Sequence, residues 1–253
     1  MTPLQSILLI AGATLAAALN SFAGGGGIII LPLLMFLGLS PTAANMTGTV
    51  AIVPGLLMSS WAYRGVLERS HQHVKNASII GLIGGLVGAV ILMASPAALF
   101  GKLVPYLMLF ATAAFLYGSW FLKVEVGSNG SSEDLGWKQG LGLALLSLYG
   151  GYWGGGIGLM TLGVMSLGGW TDINEMNATK TLFAASTNVA GVILFSLYGE
   201  VHWMAVLFLT MGTMMGGYLG ATFVQRLKPD LVRGAVAVYA IGMTLYFFVT
   251  AKN

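Results

Sequence analysis

Long apolar stretches dominate this chain, and short polar intervals separate them. They cover residues 5–38, 42–62, 75–95, 103–122, 139–168, 176–198, 203–224 and 231–250. Most approach the roughly 20 residues that a helix needs to cross a bilayer. Clusters of glycine interrupt the first and the fifth stretch. The pattern predicts an all-α, polytopic membrane protein in which two segments are broken.

Composition supports a membrane protein and argues against several other classes. The 253 residues are 57% hydrophobic and 8% charged, whereas soluble domains carry roughly 25% charged residues. The absence of cysteine excludes disulfides and thiolate ligands, and three histidines offer little material for a metal site. No hydrolase, metalloprotease or nucleotide-binding motif occurs, so we expect neither an enzyme nor a cofactor. The net charge of +3 bears on membrane topology and does not indicate a nucleic-acid partner.

The second half of the chain repeats the first. The run G-G-G-I at 25–28 recurs at 154–157, N-x-T-x-T at 45–49 recurs at 177–181, and G-G-x-x-G-A at 84–89 recurs at 216–221. The dipeptide L-V at 103–104 recurs at 231–232, and the offset along the chain is nearly constant throughout. We therefore predict a first transmembrane repeat at 1–122, a polar linker at 123–138 and a second repeat at 139–253.

Positive charges predict how the repeats are oriented. If each interrupted stretch makes no net crossing, each repeat adds three full spans and the second repeat is inverted. Eight loop Lys and Arg residues then share one side, and only Lys102 and Lys252 lie opposite. A single crossing by each interrupted stretch would divide them almost evenly. Because Lys and Arg accumulate on cytoplasmic loops, we predict inverted repeats with both termini outside the cytoplasm.

The glycine clusters predict where the helices break. They comprise Gly24, Gly25, Gly26 and Gly27 in the first repeat and Gly154, Gly155 and Gly156 in the second. A straight helix over 5–38 would be about 50 Å long, well beyond the hydrocarbon core. We expect Pro32 and Pro41 to bound the limb that follows the first break. Backbone N–H groups at a break inside the membrane could hold an anion; close helix packing through glycine is the alternative.

Polar side chains follow each break at matching positions. They are Asn45, Thr47 and Thr49 in the first repeat and Asn177, Thr179 and Thr181 in the second. We predict that they contribute to substrate binding; hydrogen bonding between helices and helix capping are the alternatives. Lys180 has Gly48 as its counterpart, so its charge is not duplicated. Its ammonium either faces a cavity and attracts an anion or snorkels to the headgroups.

Four residues immediately before the breaks are candidates for a gate or pathway. They are Asn20, Tyr149, Tyr152 and Trp153. The aromatic residues could equally anchor the protein at the membrane interface. Asn188 and Tyr63 are further polar candidates. Since no Lys or Arg precedes the apolar residues 7–19, we expect this stretch to belong to the mature protein.

At these residues the chain resembles the sulfite exporter TauE/SafE family. The resemblance rests on the four glycines and the proline between Gly24 and Leu33, and on a second glycine element from Gly154 to Gly158 that precedes Asn177 and Thr179. It extends over essentially the whole chain. It implies a bacterial plasma-membrane carrier for small sulfur oxyanions or organosulfonates such as sulfite and sulfoacetate. The second half departs from the pattern, because Leu159-Met160 stands where the first has Leu31-Pro32.

Together these features predict a secondary transporter, either an exporter or an importer, for a small sulfur-containing or organic anion that works by alternating access. Because no ATP-binding motif occurs, a coupling-ion gradient or the substrate gradient would supply the energy. The alternatives are an anion channel and a membrane scaffold or assembly factor without transport activity. The expected partners are the lipid bilayer and a small anion, and the sequence leaves the oligomeric state open.

Overall fold

A computed structural model describes residues 2–24, 26–67, 71–121, 136–170, 172–222 and 229–250. The helices in these ranges are α1 (Pro3–Ala23), α2 (Gly26–Phe36), α3 (Pro41–Ala62), α4 (Arg64–Leu67), α5 (His71–Ala94), α6 (Ala97–Phe121), α7 (Trp137–Tyr152), α8 (Ile157–Leu167), α9 (Ile173–Tyr198), α10 (Trp203–Thr222) and α11 (Pro229–Thr250). Within the described residues, α1, α5, α6, α9 and α10 are long and apolar enough to cross a membrane. The predicted all-helical membrane fold is therefore confirmed.

The helices follow the predicted apolar stretches with three local differences. Although α3 has 22 residues, it is not among the five candidate spans, because its asparagine and threonines lower its hydropathy. Pro32 does not bound α2 but lies buried inside it. Helix α7 begins at Trp137, within the predicted linker 123–138, of which residues 123–135 lie outside the described residues.

Local sequence explains where several helices begin. Thr2 caps α1 by accepting from the N–H of Gln5, and the side chain of Gln5 accepts in return from the backbone N–H of Thr2. Ser40 caps α3 through its hydroxyl ahead of Pro41, where a missing N–H costs nothing. Asp172 accepts from two backbone N–H groups at the start of α9. These caps fix the starts of the helices that carry the predicted polar residues.

Equivalent helices of the two halves make equivalent contacts. Helix α1 packs on α10, and its counterpart α7 packs on α5; α10 also packs on α3, as α5 does on α9. Helices α3 and α9 pack on each other, and so do α6 and α11. In the last pair the equivalent residues Thr112 and Thr244 share a hydrogen bond of 2.9 Å. Exchanging the two halves therefore reproduces each of these contacts, so this part of the packing is approximately twofold.

The repeated G-G-x-x-G pattern forms the closest of these helix contacts. A methyl group on Gly85 of α5 would overlap the carbonyl oxygen of Thr187 in α9. A methyl group on the equivalent Gly217 of α10 would overlap the carbonyl oxygen of Gly55 in α3. Small residues allow such backbone contact in membranes, where van der Waals packing drives helix association. The duplicated glycines thus build the same helix junction twice.

Candidate substrate site

The interruption predicted in each half is present. Helix α1 ends at Ala23, and Gly24 follows with φ 73°, donating its N–H to the carbonyl of Asn20 at 2.9 Å before α2 begins. Between α7 and α8, Gly154 and Gly156 adopt φ values of 81° and 78°. Only glycine adopts such angles readily. Gly25 lies outside the described residues.

The two breaks lie directly against each other. A methyl group on Gly24 would be 2.5 Å from the carbonyl carbon of Gly158, and one on Gly27 would be 3.1 Å from the Cα of Gly155. The glycines therefore allow the two backbones to touch. Because each break belongs to a different half, any movement of one half against the other would change this contact.

Equivalent side chains hold the backbone of each break. The side-chain oxygen of Asn20 accepts from the N–H of Gly26 at 3.1 Å, and the hydroxyl of Tyr149 donates to the carbonyl of Gly155 at 2.7 Å. The same offset along the chain relates the two side chains and their two partners. One break is thus bound through its N–H and the other through its carbonyl. This difference leaves the two breaks chemically unequal.

A cavity lies where the breaks meet the polar part of α3. It leaves about 40 Å³ for the centres of water-sized molecules. Since one water needs about 10–15 Å³ by this measure, the space suits roughly three waters or one small oxyanion. The α3 face of the cavity comprises Ala44, Asn45, Gly48, Thr49, Ile52 and Leu56. The breaks contribute Asn20, Gly27, Ile30, Leu31, Trp153, Gly154 and Ile157, and α9 contributes Ala184 and Asn188.

Hydrogen-bond donors line this cavity, and none of its described lining residues is charged. The side-chain nitrogen of Asn45 donates to the carbonyl of Tyr152 at 3.0 Å, and that of Asn188 donates to the carbonyl of Ala184 at 2.7 Å. Each amide nitrogen carries a second N–H. Gly27 lies in the first turn of α2, where N–H groups lack acceptors within the helix and carry partial positive charge. The lining therefore contains several groups that can donate a hydrogen bond to a ligand oxygen.

Lys180 lies beside the cavity wall and does not line the cavity. It is 2% exposed. Its ammonium donates to the side-chain oxygen of Asn177 at 2.8 Å and to the carbonyls of Ser21 at 3.1 Å and Asn20 at 3.4 Å. These carbonyls end α1, where the helix dipole is negative and acceptors lack partners within the helix. The charge is therefore balanced by a helix end, and it adjoins Asn20, which lines the cavity.

Asn45 and Lys180 have corresponding structural roles. Asn45 is 5% exposed and binds the last carbonyl of α7, whereas Lys180 binds the last turn of α1. Each thus caps the broken helix of the opposite half. In the second half Asn177 does not reach the helix end itself but accepts from Lys180. Asn45 therefore caps a helix and also lines the cavity, so its two predicted roles are compatible.

The four predicted threonines have different environments. Thr49 lines the cavity, whereas Thr47 accepts from the backbone N–H of His202 at 3.1 Å ahead of α10. Thr181 is buried and donates to the carbonyl of Asn177 in its own helix at 2.7 Å. The buried hydroxyl of Thr179 has no partner within the part of the chain that the structure describes. Of the four, Thr49 is therefore the one positioned to contact a ligand in this cavity.

The predicted pathway residues divide into two pairs. Asn20 and Trp153 line the cavity. The rings of Tyr149 and Tyr152 pack edge to face on Phe110 and Phe100, with centroids 5.5 and 5.6 Å apart. Tyr63, the further candidate, is buried at the end of α3. The tyrosines next to the second break thus both contact α6.

Sequence reasoning missed the apolar part of the lining. Ile30, Leu31 and Ile157 follow the breaks, and Ile52 and Leu56 lie on α3 beyond the polar run. Apolar residues in a membrane helix carry no signal of their own. The duplication provides a signal that could have found them. Ala184 and Asn188 are the second-half equivalents of Ile52 and Leu56, and they also line the cavity. These two equivalent pairs place the cavity floor at the contact between α3 and α9.

Comparison with known proteins identifies the family. The family model for Sulfite exporter TauE/SafE matches residues 9–247. The chain belongs to this family. A Haemophilus influenzae relative named "Probable membrane transporter protein" is 26% identical over 90% of this chain and 89% of its own length. The Escherichia coli K12 protein named "Probable membrane transporter protein YfcA" is 26% identical over 96% of this chain and 90% of its own.

A third relative carries a similar name. The Sinorhizobium protein "Probable membrane transporter protein ORF9" is 25% identical over 94% of this chain and 90% of its own length. No solved structure matches the chain. As a TauE/SafE member the chain is a multi-pass membrane transporter with a small-molecule substrate.

Proposed function

We propose that this TauE/SafE protein is a secondary transporter of a small sulfur-containing anion, such as sulfite or an organosulfonate, and that the cavity between the two breaks holds the anion. The observation that carries this proposal is the lining itself. Amide donors of Asn45 and Asn188 converge with the start of α2, and no described lining residue is acidic. An oxyanion would accept hydrogen bonds from these groups, and no described lining residue carries a carboxylate that would repel it.

Nearby charge supports an anion in this place. The ammonium of Lys180 contacts the carbonyl of Asn20, a residue of the cavity wall. The start of α2 adds a partial positive charge of roughly half an elementary unit. Fixed positive charge of this kind in a medium of low dielectric attracts an anion more strongly than it would in water. Sulfite itself comes from the family name, and the lining supports the wider class of small oxyanions.

Alternating access is supported by the unequal contributions of the two halves to the cavity lining. The cavity follows α3 from Ala44 to Leu56 but meets α9 only at Ala184 and Asn188. Because equivalent helices of the two halves make equivalent contacts, opening the other half instead would give a second, corresponding arrangement. Transporters built from repeats switch between two such arrangements around one site. An ion gradient or the substrate gradient would drive the exchange.

We further propose that the repeats are inverted and that both termini lie outside the cytoplasm. The count of loop charges supports this orientation. The start of α3 then faces the outside, so the cavity opens on the extracytoplasmic side. The start of α9, which carries Lys180, faces the cytoplasm.

Transport by proteoliposomes tests the proposed function. Proteoliposomes that contain the purified protein should take up radiolabelled sulfite or sulfoacetate at a rate that saturates with concentration. Asn188→Leu should lower the affinity of the protein for the anion. Loss of a hydrogen bond to a charged ligand costs about 1.5–3 kcal/mol, which corresponds to roughly 10- to 100-fold weaker binding. Thr161→Val is the matched control, because its hydroxyl donates to the carbonyl of Ile157 in its own helix and does not line the cavity. Unsaturable electrical currents would indicate a channel, and the absence of flux and binding for every anion would indicate a scaffold.

A further inference from the structure

The open cavity has a counterpart in the second half that is closed. Of the six α3 residues that line the cavity, four lie towards the start of the helix: Ala44, Asn45, Gly48 and Thr49. Their equivalents in the second repeat are Met176, Asn177, Lys180 and Thr181, and none of these lines it. The cavity therefore follows the start of α3 but not the equivalent start of α9, and we call these two places the open and the closed half-cavity.

Lys180 is the residue that distinguishes the two half-cavities. Gly48 has no side chain, and a methyl group there would already lie 2.9 Å from a methyl of Ile30. At the same place on α9 the chain carries a lysine whose ammonium extends to the end of α1. Two of its three hydrogen bonds join α9 to the first break, and the third holds it to Asn177. The side chain thus both fills space and binds the two halves together.

We propose that Lys180 is the gate of a second anion pathway, which runs along the start of α9 and is closed in this conformation. This inference rests on the proposed function, because it assigns the second pathway to the same anion and the same central site. Opening requires the ammonium to leave the carbonyls of Asn20 and Ser21. The released charge then faces the pathway, where an incoming anion replaces those carbonyls as its partner. A substrate anion therefore favours opening of this gate.

Cysteine labelling tests the gate, since the chain has no cysteine of its own. Thr49→Cys reports the open half-cavity, and Thr181→Cys reports the equivalent position in the closed one. A membrane-impermeant thiol reagent is applied to each side of vesicles of known orientation. In the otherwise unchanged protein we expect Thr49→Cys to react and Thr181→Cys to react slowly. Lys180→Gly should raise the rate for Thr181→Cys at least about tenfold, from the side opposite to the one that labels Thr49→Cys.

Lys180→Met separates the two effects of the Lys180 side chain, which are its volume and its hydrogen bonds. The substitution retains most of the volume and removes the hydrogen bonds of the ammonium. It should give a smaller rise for Thr181→Cys, and it decides the matter if Lys180→Gly does not fold. An unchanged rate for Thr181→Cys in both variants, with Thr49→Cys still reactive, would overturn the gate. That result would leave the proposed function intact if the protein still transports sulfite or sulfoacetate. Conversely, the expected rise without any anion binding would support the gate and remove the proposed substrate class.

Discussion

The contact between the two breaks can be tested at Gly24. Gly24→Ala introduces a methyl group at φ 73° that would lie 2.5 Å from the backbone of Gly158, whereas ordinary van der Waals contact begins near 3.4 Å. The two breaks must therefore move apart to accept it. Gly38→Ala is the matched control, because Gly38 has φ 92° but no atom within 4 Å of such a methyl group.

Two terms set the size of the effect. A residue with a side chain in the left-handed region costs roughly 1–2 kcal/mol, and this term is common to both variants. Overpacking adds about 1–3 kcal/mol only at Gly24, where the backbone of the opposite break prevents easy relaxation. We expect Gly24→Ala to destabilise the protein by about 2–5 kcal/mol and Gly38→Ala by about 1–2 kcal/mol.

Thermal unfolding in detergent and anion uptake in proteoliposomes measure the two consequences. For a chain of this size each kcal/mol lowers the midpoint by about 2–4 °C, so Gly24→Ala should unfold several degrees below Gly38→Ala. It should also transport more slowly, because Gly27 and Gly154 of the two breaks line the cavity. Equal midpoints and equal uptake for the two variants would refute the contact between the breaks as described.

Two further predictions address the packing and the topology. Gly85→Ala and Gly217→Ala should destabilise the protein to a similar degree, about 1–3 kcal/mol in unfolding measured in detergent. Gly140→Ala in α7 is the control, because Gly140 has open space around it, and it should be neutral or stabilising by up to about 1 kcal/mol. Unequal destabilisation by the first two substitutions would argue against equivalent helix junctions. Fusion of a reporter that is active only outside the cytoplasm should give signal after residue 253 and none within 123–135, and the opposite pattern would reverse the proposed orientation.

The duplication explains why so much of the fold could be predicted. Apolar stretches and repeated glycines predicted the helices and both breaks, because hydrocarbon requires every backbone group to be satisfied within the protein. Contacts between distant segments could not be predicted in the same way. Nothing local indicates that Lys180 reaches the end of α1 or that Thr47 binds the backbone before α10. The apolar floor at Ile52 and Leu56 was missed because its role depends on the α3–α9 contact.

Equilibrium binding of radiolabelled sulfite to the purified protein tests most directly whether the cavity between the breaks is the anion site. Thr49→Val and Thr161→Val remove one hydroxyl each, and of the two only Thr49 lines the cavity. We predict saturable binding that Thr49→Val and Asn188→Leu weaken by at least about tenfold, as expected for a lost hydrogen bond to a charged ligand. Thr161→Val should leave the binding unchanged. Saturable binding that is the same in all three variants would contradict the account.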